Sequence, residues 1–355
     1  MKPKIITYLD RERWNNFVAY SERNSILQSY EWGEFKSRFG WQPIRVALED
    51  NGKIVAGISI LKRQIPLIRH SLFYAPRGPI IDYGNRDLLH SMLDLLEEQA
   101  DRHRAISLKI DPDVEENDLL ALDNLRSLGF ERALKQVQPR ATFIVNIEGE
   151  LDDLMGSFAE KTRYNIRLAE KKGVFVKEES SDKGIKEFYD LYLETAKRDQ
   201  FLIHPLSYYQ KIKEVIFRAG LGACFVAYFE GKPIGAVITF NFGGRLWYMY
   251  GASASAYRNV MPNHLLHWKI IKWAKARGLK EYDLWGIPVK PEEGHPLFGV
   301  YRFKKGFNGE LKKYIGAYDF PYSPLFFHAF EHGVVWWQNL RSLATKGKFS
   351  DSLGE

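Results

Sequence analysis

The chain has a single cysteine, Cys224, so no disulfide can close within it, which points to a reducing compartment. Cys224 sits in the apolar run Ala223 to Phe229, a setting for a small core residue rather than a reactive thiol. No uncharged apolar run approaches the ~20 residues that a membrane-spanning helix needs. The opening MKPKIITYLDRER lacks the apolar stretch of a signal peptide. Among nine histidines no metal-binding spacing is visible, and no Ser-His-Asp or Cys-His arrangement is evident. These absences lead to the expectation of a cytoplasmic protein with no metal and no cofactor. What is present is ample apolar material: 45% hydrophobic and 14% aromatic residues exclude disorder. A length of 355 residues exceeds one ordinary core and suggests two domains.

The net charge of +7 is modest, but it is unevenly spread. Asp87 to Asp123 is rich in acids, whereas Lys161 to Lys177, Lys269 to Lys280 and Arg302 to Lys313 are basic. Any one of the basic segments reads as a solvated face. Three in the second half favour a polyanionic partner such as RNA, a phosphorylated substrate or an anionic membrane.

The most ordered stretch is Trp247 to Ile287, which reads as strand, loop, helix, strand. Trp247 to Tyr250 is strand-like, and Pro262 suits a helix start with Asn263 as its cap. Leu265, Leu266, Trp268, Ile270, Ile271, Trp273 and Ala274 then form an apolar stripe at helical spacing. Gly278 ends the helix and Glu281 to Trp285 starts another strand. Such a unit resembles the centre of the N-acetyltransferase (GNAT) fold. In that fold a glycine-rich loop lets bare backbone N–H groups hold the coenzyme A pyrophosphate. Here the loop is Arg258-Asn259-Val260-Met261-Pro262, which has no glycine and a proline that removes a donor.

The same order occurs twice. Arg45 to Leu61 resembles Cys224 to Asn241, SLFYAPRGPI resembles RLWYMYGASA, and two helix-strand segments open with the same Leu-Leu-His. Gly52-Lys53 pairs with Gly231-Lys232, and Leu88-Leu89 with Leu265-Leu266, at nearly constant offset. A repeat through four elements argues for two copies of one domain. The expected fold is therefore α/β (α+β), with two tandem GNAT-like domains. Tyr301 to Phe307 and Lys312 to Tyr318 read as closing strands around Asn308-Gly309, and Leu325 to Leu343 as a helical tail.

Five segments in order, SYEWGEFKSRFGW, KTRYNIRLAEKKGV, FYDLYLETAKRDQF with SYYQKI, YGASASAYRNVMPNHLLHWKIIKWAKARGLKEYDLWGI and YRFKKGFNGELKKYIGAYDF, resemble the Fem family (FemABX) of peptidoglycan-bridge aminoacyltransferases. The resemblance extends along nearly the whole chain, and it is to the compact type without a coiled-coil arm. It implies two GNAT-like domains, 1–147 with the last segment 318–355 packing back on it and 148–317, and the transfer of an amino acid (Gly, Ala or Ser) from aminoacyl-tRNA to an amine of the peptidoglycan precursor's stem peptide. A tRNA ester as donor accounts for an acyltransferase scaffold without a coenzyme A cradle. The acceptor is either UDP-MurNAc-pentapeptide or a lipid-linked precursor. A monomer working in the cytoplasm, at the inner face of the membrane, follows as an expectation.

Aminolysis of an activated ester needs the two substrates held in attack geometry and the tetrahedral oxyanion stabilised. The resemblance implies that Lys304, with Phe303 beside it, supplies that stabilisation, and that Lys36 meets the precursor's phosphates. A solvated lysine is the alternative for each, and one residue of misalignment would put Lys305 in place of Lys304. Tyr208, Tyr209, Tyr250 and Arg258 are further candidates for substrate contact, with core packing the alternative for the tyrosines. Asp111 matches an acidic family position, with a turn role before Pro112 as the alternative. Lys161, Arg163, Arg167 and Lys171, with Lys269 and Lys272, are candidates for tRNA phosphates. Trp336-Trp337, Arg341, Lys346 and Lys348 are candidates for peripheral membrane contact. Two other readings stay open: an acyl-CoA-dependent N-acyltransferase of GNAT type, and a non-catalytic RNA-binding relative.

Overall fold

Two repeats of one strand order follow each other in the computed structural model, which describes residues 1–66 and 68–329. The first contains β1 (Lys2–Ile5), α1 (Arg11–Ala19), α2 (Tyr30–Ser37), β2 (Gln42–Asp50), β3 (Lys53–Gln64), β4 (Ser71–Pro76), α3 (Arg86–His103), β5 (Ala105–Asp111), α4 (Leu119–Ser127), β6 (Glu131–Arg132) and β7 (Ala141–Asn146). The second contains α5 (Leu151–Ser157), α6 (Glu160–Lys171), β8 (Phe175–Glu178), α7 (Asp182–Asp199), α8 (Leu206–Ile212), β9 (Gly222–Phe229), β10 (Lys232–Phe242) and β11 (Arg245–Ser253). It continues through α9 (Pro262–Lys275), β12 (Glu281–Asp283), α10 (Phe298–Lys305), β13 (Glu310–Lys313) and β14 (Tyr318–Pro321). After α8 a π-turn at Lys213–Phe217 leads directly towards β9, with no coiled coil inserted there.

The sheets are ordered β1-β2-β3-β4-β5-β14-β6 and β8-β9-β10-β11-β12-β7-β13. Laid side by side, the two orders match except at one place. β7 pairs with β12 and β13, while β14 pairs with β5 and β6. Each repeat has given its last strand to the other. Among the described residues the chain accordingly divides into a unit of residues 1–138 with 314–329 and a unit of residues 139–313. The sequence reading kept residues up to 147 in the first domain and up to 317 in the second. Strand pairing instead carries β7 into the second unit. Residues 314–317 join the first, where Ile315 N–H donates to Val114 O at 2.9 Å and Ala133 N–H to Ala317 O at 3.0 Å.

Local chemistry explains the elements that place the site. Both β2–β3 and β9–β10 turn through two residues of positive φ, Asn51-Gly52 (47° and 75°) and Glu230-Gly231 (49° and 75°), the tight hairpin turn that matches strand twist. In α3, Asn85 caps the helix by accepting from Leu88 N–H at 3.0 Å. Its apolar face, from Leu88 to Ala100, is buried in the first core with Ile58, Phe73 and Leu108. The second unit has its own core, where Leu265, Leu266, Ile270 and Ile271 of α9 pack with Phe158, Ile166 and Leu246. Burying each such side chain contributes about 1.5–3 kcal/mol.

Several expectations need correction. The segment containing Lys304 is the helix α10, not a strand. Phe298, Tyr301, Lys304 and Phe307 face inward to differing degrees at intervals of three, a helical period that the alternating aromatics of YRFKKGF disguise. Asn263 lies inside α9, whose cap position is Met261 in the left-handed region (φ 55°), while Pro262 occupies the first turn as expected. Trp336, Trp337, Arg341, Lys346 and Lys348 lie outside the described residues, as does most of the expected tail. Among the described residues no helix is long and apolar enough to cross a membrane, and no cluster of His, Cys, Asp or Glu is arranged to hold a metal ion.

Candidate active site

Lys304 is 5% exposed, although its neighbours on α10 include the exposed Arg302 and Lys305. Its Nζ donates to Gly286 O at 2.7 Å and to Trp285 O at 3.2 Å, and lies 5.2 Å from the centre of the Tyr248 ring. Burial lowers its pKa to about 7, against a smaller upward pull from Asp283. A buried cation persists only if it is paired or hydrogen-bonded. Two backbone carbonyls and an aromatic face meet that requirement here.

The carbonyls face Lys304 because of a bulge. Leu284 N–H donates to Phe143 O at 2.9 Å and Ile287 N–H to Ala141 O at 3.0 Å, which leaves one residue more on the 284–287 side than on β7. Trp285 takes up the extra residue in the left-handed region, φ 59°, rarely occupied by a bulky side chain. Asp283 Oδ1 accepts from Trp285 N–H at 2.7 Å and from Thr142 Oγ1 at 2.5 Å. A second bulge, at Met249 in β11, sets Tyr248 opposite Thr239 and Tyr250 opposite Ile238. Residues two apart on a strand normally share a face. Here Tyr248 meets His267 at 4.5 Å between ring centres, whereas Tyr250 meets Tyr209 at 5.5 Å and Tyr192 at 6.2 Å.

Phe303 packs on His264 and His267, at 5.0 and 5.2 Å. His267 is buried in α9 with its Nδ1 2.9 Å from the Tyr282 hydroxyl. Burial first, then the Lys304 and His264 charges, lowers its pKa to about 3. Burial, with Lys161 adding to it, lowers that of His264 to about 4. Both rings are therefore neutral near pH 7 and add no positive charge against Lys304.

The structure distributes the other candidates. Tyr208, Tyr209 and Tyr250 join Tyr192 and Phe188 in one aromatic cluster; Tyr208 and Tyr209 are buried, and Tyr250 is half-buried. Arg258 is exposed in a 3-10 turn. Lys36 belongs to the first unit, half-buried in the last turn of α2 with its Nζ 5.5 Å from the Trp32 ring centre. Burial, and after it the Arg63 charge, lowers its pKa to about 8. Asp111 is also in the first unit and 1% exposed. Burial raises its pKa, opposed by Tyr74, Arg77 and Lys109, so it is a buried carboxyl rather than an open turn cap. On α6, Lys161, Arg167 and Lys171 are exposed. Arg163 instead donates to Gly156 O at 3.1 Å and Phe158 O at 2.5 Å. On α9, Lys269 pairs with Glu170 at 2.9 Å and Lys272 lies over the Trp268 ring. Arg163 and Lys269 are thus engaged within the protein. Thr142, Tyr248, His267, Asp283 and Trp285 escaped the sequence reading, because only the fold brings them to Lys304.

The loop before α9 offers fewer free amides to a pyrophosphate than a glycine-rich loop does. Val260 N–H donates to Tyr257 O at 3.0 Å and Met261 N–H to Arg258 O at 3.2 Å, and Pro262 has no amide N–H. Residues 9–219 and 224–332 match the FemAB family. The chain belongs to that family. The lipid II:glycine glycyltransferase of Staphylococcus epidermidis (strain ATCC 35984) is 28% identical to it over 393 aligned positions, covering 91% of this chain and 94% of the relative. Among solved structures, FemX superposes with a TM-score of 0.86 and 25% identity, over 93% of this chain and all of that one. A tandem GNAT protein from clavulanic acid biosynthesis, 11% identical, superposes with a TM-score of 0.56 over 90% of this chain and 97% of its own. The fold of this FemAB protein is thus that of FemX, in a mixed α/β class shared with tandem GNAT acyltransferases.

Two effects on stability follow. A Cβ at Gly251 would collide with the Tyr248 hydroxyl, so Gly251→Ala is expected to cost about 1–3 kcal/mol by overpacking, read as a lowered denaturation midpoint. Lys304 titrates near 7 when folded, against an ordinary value of 10.5. Between those pH values the unfolded chain holds the extra proton, so stability should rise with pH across the interval. The Tm of the wild type minus that of Lys304→Met should therefore climb from pH 7 to 10; a flat difference would contradict the depressed pKa.

Proposed function

We propose that this FemAB protein transfers an amino acid from aminoacyl-tRNA to the stem-peptide amine of a peptidoglycan precursor. The observation that carries the reading is Lys304, a buried cation with two of its three N–H bonds on backbone carbonyls and a third left for a substrate oxygen. The names of the relatives support glycine as the transferred residue and lipid II as the acceptor. A lipid-linked acceptor would place the protein at the inner face of the membrane.

The chemistry is an aminolysis. The acceptor amine attacks the ester carbonyl, and the C=O electrons become an oxyanion that Lys304 stabilises by donating its remaining N–H. Collapse re-forms the carbonyl and breaks the ester bond, the amine's proton passing to the released ribose hydroxyl. The products are an amide and deacylated tRNA. The loop before α9, which has no glycine and contains Pro262, speaks against coenzyme A as donor, and the exposed Lys161, Arg167 and Lys171 suit the phosphates of an acceptor stem.

The test supplies purified protein with radiolabelled glycyl-, alanyl- and seryl-tRNA and either lipid II or UDP-MurNAc-pentapeptide. Label from glycyl-tRNA moving onto lipid II is expected. Absence of transfer from every charged tRNA, together with binding of acetyl-CoA, would replace this reading with the acyl-CoA one.

A further inference from the structure

The carbonyls that hold Lys304 are shaped by a strand that the second unit receives from the first repeat. We propose that Thr142, on the exchanged strand β7, is a positioning residue that fixes Lys304 through Asp283 and the Trp285-Gly286 backbone. The proposal rests on the reading of Lys304 as the oxyanion donor. Thr142, Asp283 and Lys304 are 2%, 4% and 5% exposed, so the contacts between them are shielded from solvent.

The chain of contacts is continuous. Thr142 Oγ1 donates to Asp283 Oδ1 at 2.5 Å, and that oxygen also accepts from Trp285 N–H at 2.7 Å. The Trp285 N–H is thereby held at the bulge with its residue left-handed, a conformation that persists only where surrounding structure enforces it. Held so, Trp285 and Gly286 direct their carbonyls at Lys304 Nζ, at 3.2 and 2.7 Å. Thr142 lies within the bracket formed by Phe143 O and Ala141 O on Leu284 and Ile287, so its side chain meets the bulge at its centre. Without the hydroxyl, Asp283 loses the donor that β7 gives it and the bulge loses a side-chain tie to that strand. Lys304 then loses its aim, and misplacement by about 1 Å is enough to slow a positioned reaction.

The test uses the full chain carrying lysine labelled with 13C at Cε, with the Lys304 resonance assigned by its loss in Lys304→Met. Carbonyl hydrogen bonds and the Asp283 charge both favour protonated Lys304. Thr142→Val and Asp283→Asn are therefore each expected to move its titration midpoint downward, and Thr142→Ser to leave it in place. In the transfer assay Thr142→Val should lower kcat about tenfold with little change in KM, and Thr142→Ser should restore it. A Thr142→Val protein with wild-type midpoint and wild-type kcat overturns the proposal. So does one with lowered kcat and an unmoved midpoint, which would mark a general loss of packing. If Lys304→Ala itself transfers normally while Thr142→Val still moves the midpoint, the link to Lys304 stands and the oxyanion reading falls.

Discussion

Lys304→Ala is expected to reduce kcat for aminoacyl transfer by about 10²–10³, the usual effect of removing a donor from an oxyanion site. The KM values of both substrates should change little, because the interaction forms only as charge develops on the carbonyl oxygen. The fold should survive. Alanine removes a buried charge whose desolvation already lowers its pKa to about 7, and the carbonyls of Trp285 and Gly286 become free to accept from water entering the space. Lys304→Arg should restore little, since a planar fork cannot reproduce an ammonium held by two carbonyls at 2.7 and 3.2 Å. Steady-state kinetics on both variants, with a thermal melt of each, makes the check. Full activity in Lys304→Ala would remove this lysine from the reaction. Loss of activity in Lys305→Ala, with Lys304→Ala active, would move the role to the neighbouring residue.

Ending the chain at Tyr314 is expected to yield no soluble protein, an effect larger than any point substitution here. The shortened chain still contains every element of the second unit's sheet. What it loses is β14, the strand that joins β5 to β6 in the other unit. With β14 go Tyr318 from the first core, the ring contact of Phe320 with Phe130 at 5.2 Å, and the bond from Lys109 Nζ to the buried Asp319 at 2.6 Å. Deleting one buried aromatic costs about 3–5 kcal/mol, and the half-buried Lys109 is left without its carboxylate. A domain holds only about 5–15 kcal/mol in reserve. The exposed edge of β5 would also invite pairing between chains. Expression followed by sedimentation reads the result, and a soluble, monomeric product with an intact melting transition would contradict it.

The duplication was legible because it is written in local signals. The turns at Asn51-Gly52 and Glu230-Gly231 have the same backbone geometry, and the apolar stripes of α3 and α9 follow the same Leu-Leu-His. The strand exchange was not legible, since ATFIVN and YDFP carry nothing that says which of two similar sheets will accept them. Lys304 could be marked from its family resemblance, but its helix was misread: burial at every third residue from Phe298 competes with a stronger visible alternation. Thr142 and Asp283 are 141 residues apart, beyond any motif. Arg163 shows the opposite failure, a cation that reads as free in a basic helix and is spent on the carbonyls of Gly156 and Phe158.

The crossed strands also set the order in which the two sheets can be completed. A ribosome releases β7 long before β12 and β13 exist, so this strand must wait for its neighbours. The second unit has all its strands once Lys313 has emerged, while the first still lacks β14. Chains of several domains usually complete the N-terminal one first. Here the half that is made first is the half that closes last, and until Tyr318 appears its β5 edge needs shielding from other nascent chains.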